Sequence, residues 1–183
     1  MNEDAGIDRQ DTLDSLAFTV AALTTPTLYV GFRVWRLIDG VLCSPHRPEC
    51  WDQPVVEASC RGGTSDAERA RAGVLMIPHR SPDRRCSCGI HVSDAPNVSF
   101  SQVDFRGVTG IVTVWGAILR EDNGARAEFA RVAALGVYSH WTARQKEAVK
   151  ASARRLEADV VDLEVLDRAA LRYGARLPAR SLA

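Results

Sequence analysis

Three cysteines and one histidine hold the most concentrated chemistry in this 183-residue chain. Cys86 and Cys88 are one residue apart, Cys60 lies upstream, and His79 sits in the stretch that delivers the pair. Thiolate and imidazole suit zinc, and a three-cysteine, one-histidine set fills all four positions of a tetrahedral ion, so the expected role is a structural staple with no open position for substrate. The opposing reading is three small buried side chains, since free cysteine is among the most buried residue types. The spacing offers a single CxC where zinc modules usually offer two CxxC-like knuckles. If residues 86–92 run as a strand, both thiols and Ile90 share one face, and Ser87, Gly89 and His91 take the other. That geometry removes His91 from the ligand set and makes it a candidate to line a pocket and titrate near neutral pH. The plainer alternative is a histidine bonded to a backbone carbonyl.

Other polar groups carry weaker signals. Arg126 and Glu128, two apart, project to one face of a strand, either as an exposed ion-paired sheet face or as a polar pocket floor. Arg80, Arg84 and Arg85 beside the cysteines could contact phosphate, but three loop arginines without interleaved aromatics read as a solvated cluster. His46 and His140 read as surface residues. Cys43 and Cys50 flank a proline loop, would bridge only in an oxidising setting, and are assigned no role.

The elements that must position these groups centre on residues 108–135. β-branched and aromatic residues fill 108–119, the cluster Glu121, Asp122, Asn123 and Gly124 supplies turn chemistry, and residues 126–135 alternate again, which predicts a β-hairpin. Apolar side chains on both faces of its first strand predict a central position in a sheet. Residues 28–38 alternate as a second strand closed by the turn Asp39-Gly40. Pro45, Pro48 and Pro54 mark a loop anchored by Trp51, and residues 55–60 can form a short strand.

Helices are expected at the margins. Leu13, Leu16, Val20 and Leu23 recur at helical spacing from Asp11 or Thr12 until Pro26, and Ser65 with Glu68 forms a capping box for a short helix ending at Gly73. Thr142 with Gln145 forms another box, opening a helix over 143–159 with Val149, Ala153, Leu156 and Val160 on one face. A shorter helix over 167–173 ends at Gly174. The expected fold class is α+β: a mainly antiparallel, partly closed β-sheet with peripheral helices and a C-terminal helical extension. Residues 1–25 form a tail and short helix, 26–140 a β-rich core domain, and 141–183 the extension.

Composition narrows the function classes. A hydrophobic content of 46% supports a sizeable core, and 23 basic against 23 acidic residues remove the simplest argument for nucleic acid. Residues 16–30 are apolar but broken by threonines and Pro26 and preceded by acids, so they suit neither a signal peptide nor a membrane span. A cytoplasmic setting is expected, with the cysteines as free thiols or metal ligands. A protein partner or small ligand is favoured over nucleic acid or membrane, and the C-terminal helices are one candidate partner surface.

The strand Phe32-Arg33-Val34-Trp35-Arg36-Leu37, then Trp51, Cys60, the run Cys86, Cys88, Gly89, Ile90, His91, and Trp115-Gly116 followed by Arg126-Ala127-Glu128 together resemble a group of uncharacterised, mostly actinobacterial proteins. The resemblance spans about residues 31–135, departs at Val92 where the group favours alanine, and implies a discrete domain without an activity. With no Gly-rich phosphate loop, GxSxG elbow or HExxH helix, a non-catalytic binding or regulatory module stapled by zinc is the leading expectation. In outline the layout also looks like an NAD-using ADP-ribosyltransferase. In that reading Arg33 or His91 would hold the nicotinamide nucleotide, and Glu128 would orient a ribose hydroxyl and stabilise the cation formed as nicotinamide leaves.

Overall fold

The computed structural model describes residues 26–45, 49–60, 79–96 and 107–182. The expected helix before Pro26, the capping box at Ser65 and Glu68, and His46 lie outside the described residues. Within them, β1 (Tyr29–Ile38), β2 (Val41–Cys43), β3 (Cys50–Trp51), β4 (Val55–Glu57) and β5 (Ile90–Ser93) precede a long hairpin of β6 (Gly107–Glu121) and β7 (Gly124–Val137). Helix α1 (Ala143–Arg155), β8 (Asp159–Asp162), a 3-10 turn (Leu163–Val165), α2 (Leu166–Ala170) and β9 (Ala175–Arg176) complete the order.

The hairpin is the centre of the sheet. Its strands pair from Glu121↔Gly124 to Gly110↔Leu135 across the two-residue turn Asp122-Asn123. Gly124 is required there because a Cβ would lie 2.0 Å from the Val92 carbonyl oxygen of β5. β1 pairs antiparallel with β6 along its length, and β5 pairs with both β1 and β7, so β1, β6, β7 and β5 close into a ring of pairings. Two register shifts, between Ile111 and Val112 and between Trp115 and Ile118, accompany this closure. A bulge adds local bend and twist, which lets one hairpin face two directions. Trp35, Ile111, Val112, Val114, Ile118 and Leu135 are fully buried and fill the interior.

One edge of β7 belongs to β6. On the other, three short strands follow end to end: β5 against residues 124–127, β4 against 129–131, and β8 against 134–137. Glu128 stands at the junction of β5 and β4, where its carbonyl oxygen accepts from the Ala58 amide at 2.7 Å.

The C-terminal segment is less helical than the spacing predicted. Helix α1 opens on the expected capping box, with Thr142 accepting from the Gln145 amide. It stops at Arg155, because Glu157 takes φ 53° and the Ala158 amide donates to the Ala153 carbonyl oxygen at 2.9 Å. That is a Schellman stop with a glutamate where glycine is the usual signal, so residue types alone carried no sign of it. The freed residues form β8, which runs parallel to β7, and α1 packs against both strands as the crossover a parallel pair requires. β9 pairs parallel with β1, and Leu182 bridges Ile118, so this segment is built into the sheet and the sheet is mixed. No helix among the described residues is long and apolar enough to cross a membrane. Thr142→Ala, which removes the box, is expected to cost about 1 kcal/mol, read as a fall in Tm of roughly 2–4 °C.

Candidate metal centre

The junction between β4 and β5 is where the expected ligands meet. β4 and β5 both run antiparallel to β7, so the end of β4 faces the start of β5. Cys60 follows β4, and Cys88 precedes β5. The chain over residues 86–89 is not a strand, which corrects the premise that alternation aligns the thiols: β5 begins at Ile90, and Gly89 at φ 120° ends a turn that starts with the Cys86 amide donating to the Asp83 carbonyl oxygen. The turn still gathers the four groups. The Cys60 and Cys86 Sγ atoms are 3.6 Å apart, His79 Nε2 and Cys88 Sγ are 3.4 Å apart, and all four ligand atoms lie within 4.8 Å of one another. A zinc tetrahedron with 2.3 Å Zn–S bonds has edges of about 3.8 Å. The set therefore has the dimensions and chemistry of a metal site such as zinc occupies, with three sulfur donors and one nitrogen.

The thiols sense one another. Burial pushes the Cys88 thiol up, but hydrogen bonds involving Ser81, His79, the Asp83 backbone and Cys86 outweigh it and hold it at about 7. Burial pushes the Cys86 thiol up, and hydrogen bonds to the Cys60 and Cys88 thiols add to the rise. A divalent cation at their centre would favour the thiolate form of all three.

Arg126 and Glu128 support this turn from beneath. Both are buried, at 8% and 4% exposure, so of the two readings open from spacing the exposed ion-paired face is corrected. Arg126 reaches under the turn: Nη1 donates to the carbonyl oxygens of Asp83 (3.1 Å), Cys86 and Cys88 (2.8 Å), and Nε donates to Glu121 Oε1 at 2.6 Å. Glu128 Oε1 accepts from Arg80 Nε at 2.5 Å, and its Oε2 accepts from the Ala117 amide at 3.0 Å. The second bond satisfies an amide in the β6 bulge, beside Gly116 at φ 78°. Glu128 thus ties the stem of the cysteine turn to the bulge. Both oxygens of its carboxylate are engaged by these bonds.

Arg33 and His91 lie elsewhere on the surface. Both line a cleft of about 430 Å³, together with Ser44, Pro45, Glu49 and Ser93. Arg33 donates to the His91 carbonyl oxygen at 2.7 Å, and its guanidinium sits 5.3 Å from the Trp51 ring centre. His91 Nε2 lies 3.2 Å from the Ser87 carbonyl oxygen, the plainer outcome weighed for it, and its Nδ1 is 3.7 Å from Glu121. Burial holds the His91 pKa below its ordinary value, aided by Arg33 and Arg126 and opposed by the Ser87 carbonyl and Glu121. A histidine whose folded pKa is depressed binds protons less readily folded than unfolded, so its contribution is present above the unfolded value and lost as pH falls through the folded one. Urea midpoints measured between pH 7 and 5 are expected to fall with pH, and His91→Gln should flatten part of that slope.

Arg84 and Arg85 are exposed, as is His140, whose ring lies 4.9 Å from Tyr138. Cys43 and Cys50, assigned no role from sequence, form a disulfide. Their positions directly opposite each other in β2 and β3 were not legible, because a two-residue strand leaves no periodicity to find. Comparison with protein-family models, with curated proteins and with solved structures finds no match to this chain.

Proposed function

We propose that this chain is a non-catalytic binding module whose β4–β5 junction is stapled by one zinc ion on Cys60, His79, Cys86 and Cys88. The observation that carries the reading is the convergence of all four ligand atoms within 4.8 Å, from segments on both sides of the junction. Four protein donors complete a tetrahedral shell, so the ion would have no open position for a water or substrate, and its contribution would be to folding. Arg126 supports the reading, since a buried cation tied to the Cys86 and Cys88 carbonyl oxygens fixes the turn before any ion arrives. The stapled junction and the arm of β2 and β3 bound the clefts around Arg33, the concave surface offered to a small ligand or a segment of a protein partner. The three unbridged thiols fit a reducing setting such as the cytoplasm, where the Cys43–Cys50 bridge would be the exception.

The test is elemental analysis of protein purified without a metal-affinity column, with thiols counted before and after chelation. About one zinc per chain, and three thiols that react only after the chelator, is the expected result for a closed three-sulfur site. Metal-free protein whose three thiols are unreactive would make Cys60, Cys86 and Cys88 plain buried side chains and remove the staple.

A further inference from the structure

We propose that the Cys43–Cys50 disulfide is a thiol-exchange site, attacked at Cys50 by a dithiol or glutathione-class thiol, and that its reduction frees β3, the outer strand of the β2–β3 arm, from the clefts around Arg33. The inference stands on the arm's construction and is independent of the metal.

The outer strand of the arm is lightly held. Among the described residues β3 pairs only with β2, through Leu42↔Trp51 and Cys43↔Cys50. The further restraints on β3 are the Ser44 amide bond to the Glu49 carbonyl oxygen (2.7 Å), the edge-on contact of the buried Trp51 with Trp35 (5.3 Å between rings), and Arg33 over Trp51, whereas β2 is itself paired with β1 over Val41–Cys43 and buries Leu42. So short a β2–β3 ladder has little strength of its own, which leaves the covalent clasp and the Trp51 contact as the main restraints on β3 among the described residues. The arm also shapes both clefts. It supplies Ser44, Pro45 and Glu49 to the larger one, and Glu49, Cys50 and Trp51 to a second of about 170 Å³ whose far wall is Ala58, Ser59 and Gly89.

The two sulfurs are not equivalent. Cys50 is exposed and lines the smaller cleft, whereas Cys43 is 5% exposed. Access directs an incoming thiolate to Cys50. A sulfur–sulfur bond forms between the attacker and Cys50 as the Cys43–Cys50 bond breaks, and its electron pair leaves on Cys43, which takes a proton. The second thiolate of the dithiol, or a second glutathione, attacks the first one's sulfur and expels Cys50 as thiolate. The reductant ends as a disulfide and the protein as two thiols. The Arg33 guanidinium and the Glu49 carboxylate line the same cleft. Bridging is selective here, since Cys60 and Cys86 stay unbridged at 3.6 Å.

The whole protein is treated with excess dithiothreitol under native conditions, and free thiols at Cys43 and Cys50, hydrogen exchange across β2 and β3, and metal content are read on the same sample. The expected result is reduction at this pair, exchange in the arm faster by about tenfold or more, and metal content unchanged. In single variants, Cys50 in Cys43→Ser should form a mixed disulfide with oxidised glutathione about tenfold faster than Cys43 in Cys50→Ser. A pair that resists native reduction, an arm whose exchange is unmoved by reduction, or equal rates at the two cysteines would overturn the proposal. A sample that holds no metal but shows the faster exchange would sink the zinc reading and leave this one standing.

Discussion

Cys88→Ser is expected to bring the zinc content from about one ion per chain to near zero and to lower the Tm by roughly 6–12 °C, on the scale of 2–4 °C per kcal/mol for a chain of this size. Cys88 is the most buried of the three thiols and lies 3.4 Å from His79 Nε2, so its loss removes a donor that solvent cannot replace in place. Structural zinc adds its binding free energy directly to folding, and about 3 kcal/mol is a conservative share where the rest of the fold has its own core. That core does not pass through the site: Trp35, Ile111, Leu135 and Leu156 are fully buried around the hairpin and α1. The expected variant therefore keeps its circular dichroism and loses hydrogen-exchange protection at β4 and at the start of β5. A Tm unchanged within error, with zinc absent from both proteins, would show that the turn stands without an ion.

Arg126→Met is expected to weaken metal binding by about 10–100-fold, the range seen when groups supporting metal ligands are removed. It should also destabilise the metal-free protein by roughly 3 kcal/mol, because one buried guanidinium satisfies three carbonyl oxygens of the cysteine turn. Methionine fills much of the same volume without donating, so the effect would report the lost hydrogen bonds more than a cavity. Competition titration with a chromophoric chelator gives the affinity, and urea unfolding in the presence of that chelator separates the two effects. Equal affinity in the two proteins would show that the turn holds its shape through its own backbone. Glu121, the fourth partner of Arg126, is 41% exposed, and its release to water should contribute little.

Much of this protein could be read from residue types alone. The hairpin of β6 and β7, the strand β1 with its Asp39-Gly40 turn, and the capping box of α1 are written in local periodicity and turn chemistry, where each residue's preference agrees with the structure around it. The candidate ligands were legible for a related reason: cysteine and histidine are scarce, and few arrangements use three of one and one of the other together. Other features depended on contacts between distant segments. β8 arises where a helical pattern runs on but Glu157 adopts a left-handed conformation that local sequence does not favour. Among the described residues β3 exists only as a partner of β2. Arg126 and Glu128 could be read either as an exposed pair or as a pocket floor because alternation assigns a strand's side chains to faces without saying what covers each face. The cysteine turn covers theirs, and it can do so because β4 and β5 end on the same edge of β7 and leave a gap opposite Glu128. Sequence by itself determined the hairpin and pointed to the candidate donor set, since both follow from local chemistry. Only the tertiary structure decided that the donors converge at that gap, that two charged side chains are buried under them, and that Cys43 meets Cys50, because each requires segments far apart in the chain to share one strand's edge or face one another in space.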